Sequence, residues 1–156
     1  MPREQTQTKK HAALYIDRTG KAAIVATLYY NGPGGFLYED ETPTVIQLND
    51  PGSLGSAVRR ALEDSEIRLT TSHRDKKLTD WPAFKSSGHR SVRQFEAHFI
   101  RLHISGANES NLLYQIEGWP ERDAELRIVA SASSALVEQL GERCLMVWRA
   151  CRDRAV

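Results

Sequence analysis

Five histidines are the side chains here best suited to proton transfer or metal binding: His11, His73, His89, His98 and His103. A helical zinc site sets two histidines four residues apart, with a further ligand close by. No pair in this chain has that spacing, and no cysteine pair stands beside one. No metal and no cofactor are therefore expected. A hydrolase would need His98 or His103 beside a carboxylate and a nucleophile. No nucleophile-elbow frame occurs in the chain, so the fold would have to assemble such a site from distant residues. The only two cysteines, Cys144 and Cys151, fall seven residues apart in one helical pattern. That is about 10 Å along a helix axis, too far for a disulfide, and reduced thiols are expected. Gly32, Gly34 and Gly35 invite comparison with a phosphate loop. Such a loop runs into a helix N-terminus, often with a lysine following. Here Phe36-Leu37-Tyr38 follows, an extended run, so the glycines read as a hairpin turn.

Charge is the stronger signal. Acidic side chains gather at Glu39-Asp40-Glu41, at Glu63, Asp64 and Glu66, and at Glu117, Glu121, Asp123 and Glu125. Basic ones gather at Arg68, Arg74, Lys76 and Lys77, and at Lys85, Arg90 and Arg93. One reading is a solvated, mixed surface. The other is a bipolar surface that matches and steers a charged partner. With 21 basic against 20 acidic residues in 156, there is no global pull toward nucleic acid or anionic lipid. Trp81 and Phe84, beside the basic stretch, either pin a loop to the core or face a partner.

These side chains need elements to position them. The length suits one domain with a single core. Residues 1–10 are polar and aperiodic and read as a flexible tail, leaving 11–156 as the domain. Ala12–Ile16 and Ala22–Tyr30 are extended runs joined at Asp17-Arg18-Thr19-Gly20. The second is almost continuously apolar, as expected inside a sheet. Further extended runs cover 36–38 and 44–48. Asp50 and Pro51 then open a helix to about Glu66, with Leu54, Ala57, Val58, Ala61 and Leu62 on one face. Ser91 and Gln94 have capping-box spacing before a short helix. Ile100, Leu102 and Ile104 alternate with polar residues as a half-buried strand, and strands follow at 112–117 and 126–130. A last helix from Ser133 or Ser134 to about Cys151 carries Val137, Leu140, Gly141, Cys144, Leu145 and Trp148 inward. Gly141 in mid-helix suggests a close approach, expected to be to the sheet. The fold class is α+β: a largely antiparallel sheet with two main helices and one short helix packed on it. No apolar run is of membrane-spanning length, and no apolar segment follows the charged N-terminus, so a cytoplasmic location is expected.

Several pieces, in this order, resemble the CdiI immunity proteins of contact-dependent growth inhibition systems. They are the tyrosine strand with GPGGF (Tyr29 to Phe36), a short strand leading into LGSAVRRALEDS (Leu54 to Ser65), and Trp81 in a charged loop. SVRQFE (Ser91 to Glu96) comes next, and last a strand entering SSALVEQLGERCLMVWRACR (Ser133 to Arg152). The resemblance implies a non-enzymatic cytosolic protein. It would bind the C-terminal toxin domain of a cognate CdiA protein one-to-one, often a nuclease, and neutralise it. It supplies no residue-level binding motif. Charge alone nominates Glu39, Asp40, Glu41, Asp64 and Glu66 as contacts for a basic toxin surface, with Trp81 as an aromatic contact. The alternative is a stand-alone nucleic-acid-binding module using the basic 68–93 segment with Trp81 interleaved.

Overall fold

A computed structural model describes residues 9–31, 36–68, 77–107, 112–120, 125–133 and 135–154. The glycines Gly32, Gly34 and Gly35, with His73, Arg74, Lys76, Glu121, Asp123 and Ser134, lie outside the described residues, as does the tail before Lys9.

Strand β1 (His11–Asp17) turns into β2 (Ala22–Asn31) and pairs antiparallel with it from His11↔Leu28 to Ile16↔Ala23. The turn is held by the Asp17 carboxylate, which accepts the Thr19 N–H at 2.7 Å, and by Gly20 at φ +74°. On its other edge β1 pairs with β6 (Phe99–Gly106), followed by β7 (Leu113–Gly118) and β8 (Ile128–Ser133), all antiparallel. Strand β2 is internal, as its apolar run requires. Two short strands share its far edge, β4 (Thr44–Gln47) along residues 22–25 and β3 (Leu37–Glu39) along residues 28–30. The two-residue β5 (Ile67–Arg68) runs parallel to the end of β2. The result is an eight-stranded sheet in the order β3-β2-β1-β6-β7-β8, with β4 and β5 also on β2.

Alternation along the strands sends two residue sets to opposite faces. Ala12, Leu14, Ile16, Val25, Leu102, Ile104 and Ile116 point to one face. There they meet α1 (Pro51–Glu63) through Leu54, Val58 and Leu62, and α4 (Val137–Arg154) through Leu140, Cys144, Val147 and Trp148. Asp50 caps α1 by accepting the Ser53 N–H at 2.8 Å. Burial raises the Cys144 and Cys151 thiols to about 12 and about 11, so both are inert as nucleophiles.

Gly141 does mark a close approach, but to a helix rather than the sheet. A Cβ on Gly141 would lie 1.8 Å from the Pro51 carbonyl oxygen, and one on Gly55 would lie 1.9 Å from that of Val137. Both obstacles are backbone, so no rotamer change relieves them. Helices α1 and α4 therefore touch main chain to main chain.

Ala13, Tyr15, Ile24, Ala26 and Leu28 point to the other face. Two helices cover them, α2 (Pro82–Ser87) and α3 (Val92–His98, capped by Ser91). The second of these is the short helix expected. Helix α2 is an addition, because six residues are too few to print a periodic stripe in the sequence. A 3-10 turn at Leu78–Asp80 precedes it.

One carboxylate clasps this second layer to the sheet. Glu39 on β3 accepts from the Tyr15 hydroxyl, from Trp81 Nε1 at 2.6 Å and from the Ala83 N–H at 3.2 Å. The last of these is a donor in the first turn of α2, where no cap side chain serves it. Trp81 stacks edge-on against Phe95 and Tyr15, with centroids 4.9 and 5.7 Å apart. Burial first, and then the neighbouring Glu39 charge, push the Tyr15 phenol well above its usual range, so it stays a donor.

Two expectations follow. Gly55→Ala should lower stability by about 3 kcal/mol, the range of core overpacking. The exposed Ser56→Ala should stay within about 0.5 kcal/mol. Equal urea midpoints for the two would show that the helices part freely. Glu39→Gln should lower stability by about 1–3 kcal/mol, since it weakens acceptors for buried donors. It should also shift Trp81 fluorescence to the red, whereas Glu142→Gln on an exposed position of α4 should do neither.

Candidate partner-binding groove

Between β4 and β3 the edge of β2 is interrupted. Residues 40–43 turn there, and the Asp40 N–H donates to the Thr27 carbonyl at 2.8 Å. Helix α1 passes over this break, tied down by the buried Thr27 hydroxyl, which donates to the Ala61 carbonyl at 2.9 Å. The space left between the turn and the end of α1 is a groove of about 320 Å³. Asp40, Glu63, Asp64 and Glu66 line it with Lys10 and Arg60, above a floor that includes Val25 and Thr27.

The groove thus joins two acidic blocks that are more than twenty residues apart in the chain. Four carboxylates stand against two cations, and one of these, Lys10, is engaged by backbone. Lys10 Nζ donates to the Ser65 carbonyl at 2.6 Å and to that of Glu63 at 3.4 Å. A cation there complements the negative end of the helix. Lys10 falls in the segment expected to be a tail, so the last residue of that segment is fastened to the domain. Asp40 has a local duty as well, because its Oδ1 accepts from the Thr42 N–H at 2.9 Å and from the Thr42 hydroxyl at 2.8 Å.

The six candidate residues therefore divide. Asp40, Asp64 and Glu66 come together in the groove. Glu41 is exposed in the adjoining turn and does not line it. Glu39 alternates to the opposite face, where it binds Trp81. The Trp81 ring is half-buried among other rings, which leaves it poorly placed to stack on a nucleic-acid base. Most of the basic 68–77 stretch lies outside the described residues. Lys10 and Arg60 were missed by charge-block reasoning, Lys10 because it sits far along the chain from both acidic blocks, and Arg60 because it belongs to neither charge block although it lies one helical turn before Glu63 and Asp64. Only helical spacing from Ala57 and Ala61 could have hinted at Arg60.

His103 meets another histidine, His11, rather than a carboxylate and a nucleophile. His98 contacts the Gln94 carbonyl and lies against His89. Among the described residues no three metal-ligating side chains cluster, and no helix is long and apolar enough to cross a membrane.

No protein-family model matches the chain, and no curated protein does. Its fold has counterparts among solved structures. A protein of unknown function from Neisseria meningitidis superposes with a TM-score of 0.70 at 16% identity, over 94% of this chain and 98% of that one. A chain of the CdiA-CT/CdiI toxin and immunity complex from Yersinia pseudotuberculosis superposes with a TM-score of 0.59 at 12% identity, over 92% of this chain and 98% of that one. At these identities the likeness is one of fold, and that fold is shared with a component of a toxin and immunity complex.

Proposed function

We propose that this chain is an immunity protein. In this reading it binds the C-terminal toxin domain of a cognate CdiA effector one-to-one in the cytoplasm, neutralises it, and so protects the producing cell. The observation that carries the reading is the fold shared, end to end, with a chain of a toxin and immunity complex. The groove adds a place for the contact. A nuclease toxin needs a basic cleft for its substrate's phosphates. The carboxylates of Asp40, Asp64 and Glu66, with Glu63, offer a matching negative surface on a rigid wall of helix and sheet. A stable one-to-one complex covers about 800 Å² on each partner. The groove would be the charged part of such a surface, and steering by it would act mainly on the association rate. Inhibition of this kind works by occupancy and calls for no catalytic group.

The test is co-purification with the toxin domain encoded immediately upstream, then titration calorimetry and stopped-flow mixing. A one-to-one complex in the nanomolar range or tighter, with loss of toxin activity, is expected. Asp64→Lys with Glu66→Lys should slow association about tenfold or more at low salt, the size of a steering effect. Glu39 is unsuitable for this test because it clasps α2, and Asp40 because it closes its own turn. An unchanged association rate would move the interface off the groove. Failure of a folded, active toxin domain to bind at all would remove the immunity reading.

A further inference from the structure

A second cluster lies on the sheet face that α2 and α3 occupy. Tyr30 Oη is 2.7 Å from His11 Nε2, and His11 Nδ1 is 3.1 Å from His103 Nε2. The two imidazole planes differ by only 19° and their centroids are 5.2 Å apart. The rings therefore meet nearly edge to edge, the geometry of an N–H···N hydrogen bond. One nitrogen of that contact must carry a proton and the other a lone pair. The pair thus holds one imidazolium at most. A second proton sets two N–H groups against each other.

The same few residues fasten the groove. The His11 N–H donates to Ser65 Oγ at 3.1 Å, and the buried Ser65 hydroxyl donates to the Leu28 carbonyl at 2.6 Å. Lys10, the residue before His11, holds the Ser65 carbonyl. The Tyr30 N–H donates to the Glu66 carbonyl at 3.1 Å. Asp64 and Glu66 flank Ser65, so the groove wall and the histidine pair share one set of attachments.

We propose that the His11–His103 pair is an acid-sensitive latch, whose double protonation frees the start of β1 and the Lys10–Ser65–Glu66 wall of the groove while the rest of the fold stays closed. The effect on a partner rests on the immunity reading; the latch itself does not.

The surroundings disfavour charge on either ring. Tyr30 faces His11 from β2, and Lys9 and Lys10 immediately precede it in the chain. Arg101 lies two residues from His103 on β6, and Glu117 lies opposite it on β7. Glu117 is already engaged, with one oxygen accepting from Gln115 and the other from Arg127. Burial, then His103 and then Lys9, lower His11 to about 4. Burial, then Arg101, lower His103 to about 4. Both values are below the ordinary 6.5, so the unfolded or opened segment binds more protons than the closed one. The stabilisation from the neutral pair is complete above about pH 6.5, and it is lost as pH falls toward about 4.

The test is amide hydrogen exchange by NMR on the full chain from neutral pH down to about 4, expressed as protection factors. No partner is present, so the result is independent of whether the groove binds a toxin. Protection at His11, Tyr30 and Gly106 should fall about tenfold per pH unit for each proton taken up. Amides in the middle of α4 should hold. In His103→Gln the side-chain amide can turn to donate or accept, so the fall should flatten. Long-range nitrogen spectra of the wild-type imidazoles follow both rings directly, should the variant fold poorly. The proposal is overturned if His103→Gln keeps the full fall or if α4 loses protection in step. It is equally overturned if the amides open while both rings are still neutral.

Discussion

The contact between the backbones of α1 and α4 sets the spacing of one whole layer. At Gly55 and Gly141 nothing separates the two helices, and no side chain can adapt there because the obstacles are carbonyl groups. Close-packed interiors transmit such constraints over distance. With α1 drawn against α4, its far end comes down over Thr27 and the break between β3 and β4. The groove is thus a by-product of how two helices share one sheet face. Its acidic lining comes from whichever residues the end of α1 and the β3–β4 turn carry. Gly118 on β7 makes a similar allowance, since a Cβ there would lie 2.7 Å from the Cys151 sulfur.

Glu39 illustrates how one residue type serves opposite ends. In the chain it is the first of three consecutive acidic residues and looks like part of a solvated turn. In the fold, period-two alternation turns it away from Asp40 and under α2, where three donors converge on its carboxylate. Such donors replace the water that a half-buried carboxylate gives up. The acidic run is therefore two features, a structural acceptor and a groove wall, separated by a single residue step along a strand.

What could be read from the chain was whatever depends on local pattern. The alternation of Ile100, Leu102 and Ile104, the Asp50-Pro51 start of α1, the Ser91 cap and the internal run at Ala22–Tyr30 each rest on neighbours in sequence, and each holds within a few residues. The α+β class follows from them. The two-residue β5 and six-residue α2 are too short to leave a periodic signal. Gly141 was legible as a close approach, but its partner was not, because helix–helix contacts depend on where α1 lands on the sheet. Site residues suffered most. Asp40 meets Asp64 only through the β2–β3 register, and His11 meets His103 across the β1–β6 register, 92 positions apart. Charge blocks put Asp40, Asp64 and Glu66 on one list with Glu39 and Trp81, with no means of telling that the first three share a groove and the last two meet on the opposite face.

The attachment of Lys10 also bears on how the molecule can be handled. The chain enters the domain at the mouth of the groove, so a purification handle or fluorescent protein fused ahead of residue 1 would be tethered beside the surface proposed to meet a partner. Its bulk would depress an apparent affinity without any defect in recognition. Helix α4 ends past Cys151, whose sulfur approaches Gly118 on β7, three strands from β2. At roughly 4.8 Å per strand, a C-terminal fusion starts some distance from that mouth and is the better choice for pull-down and immobilisation.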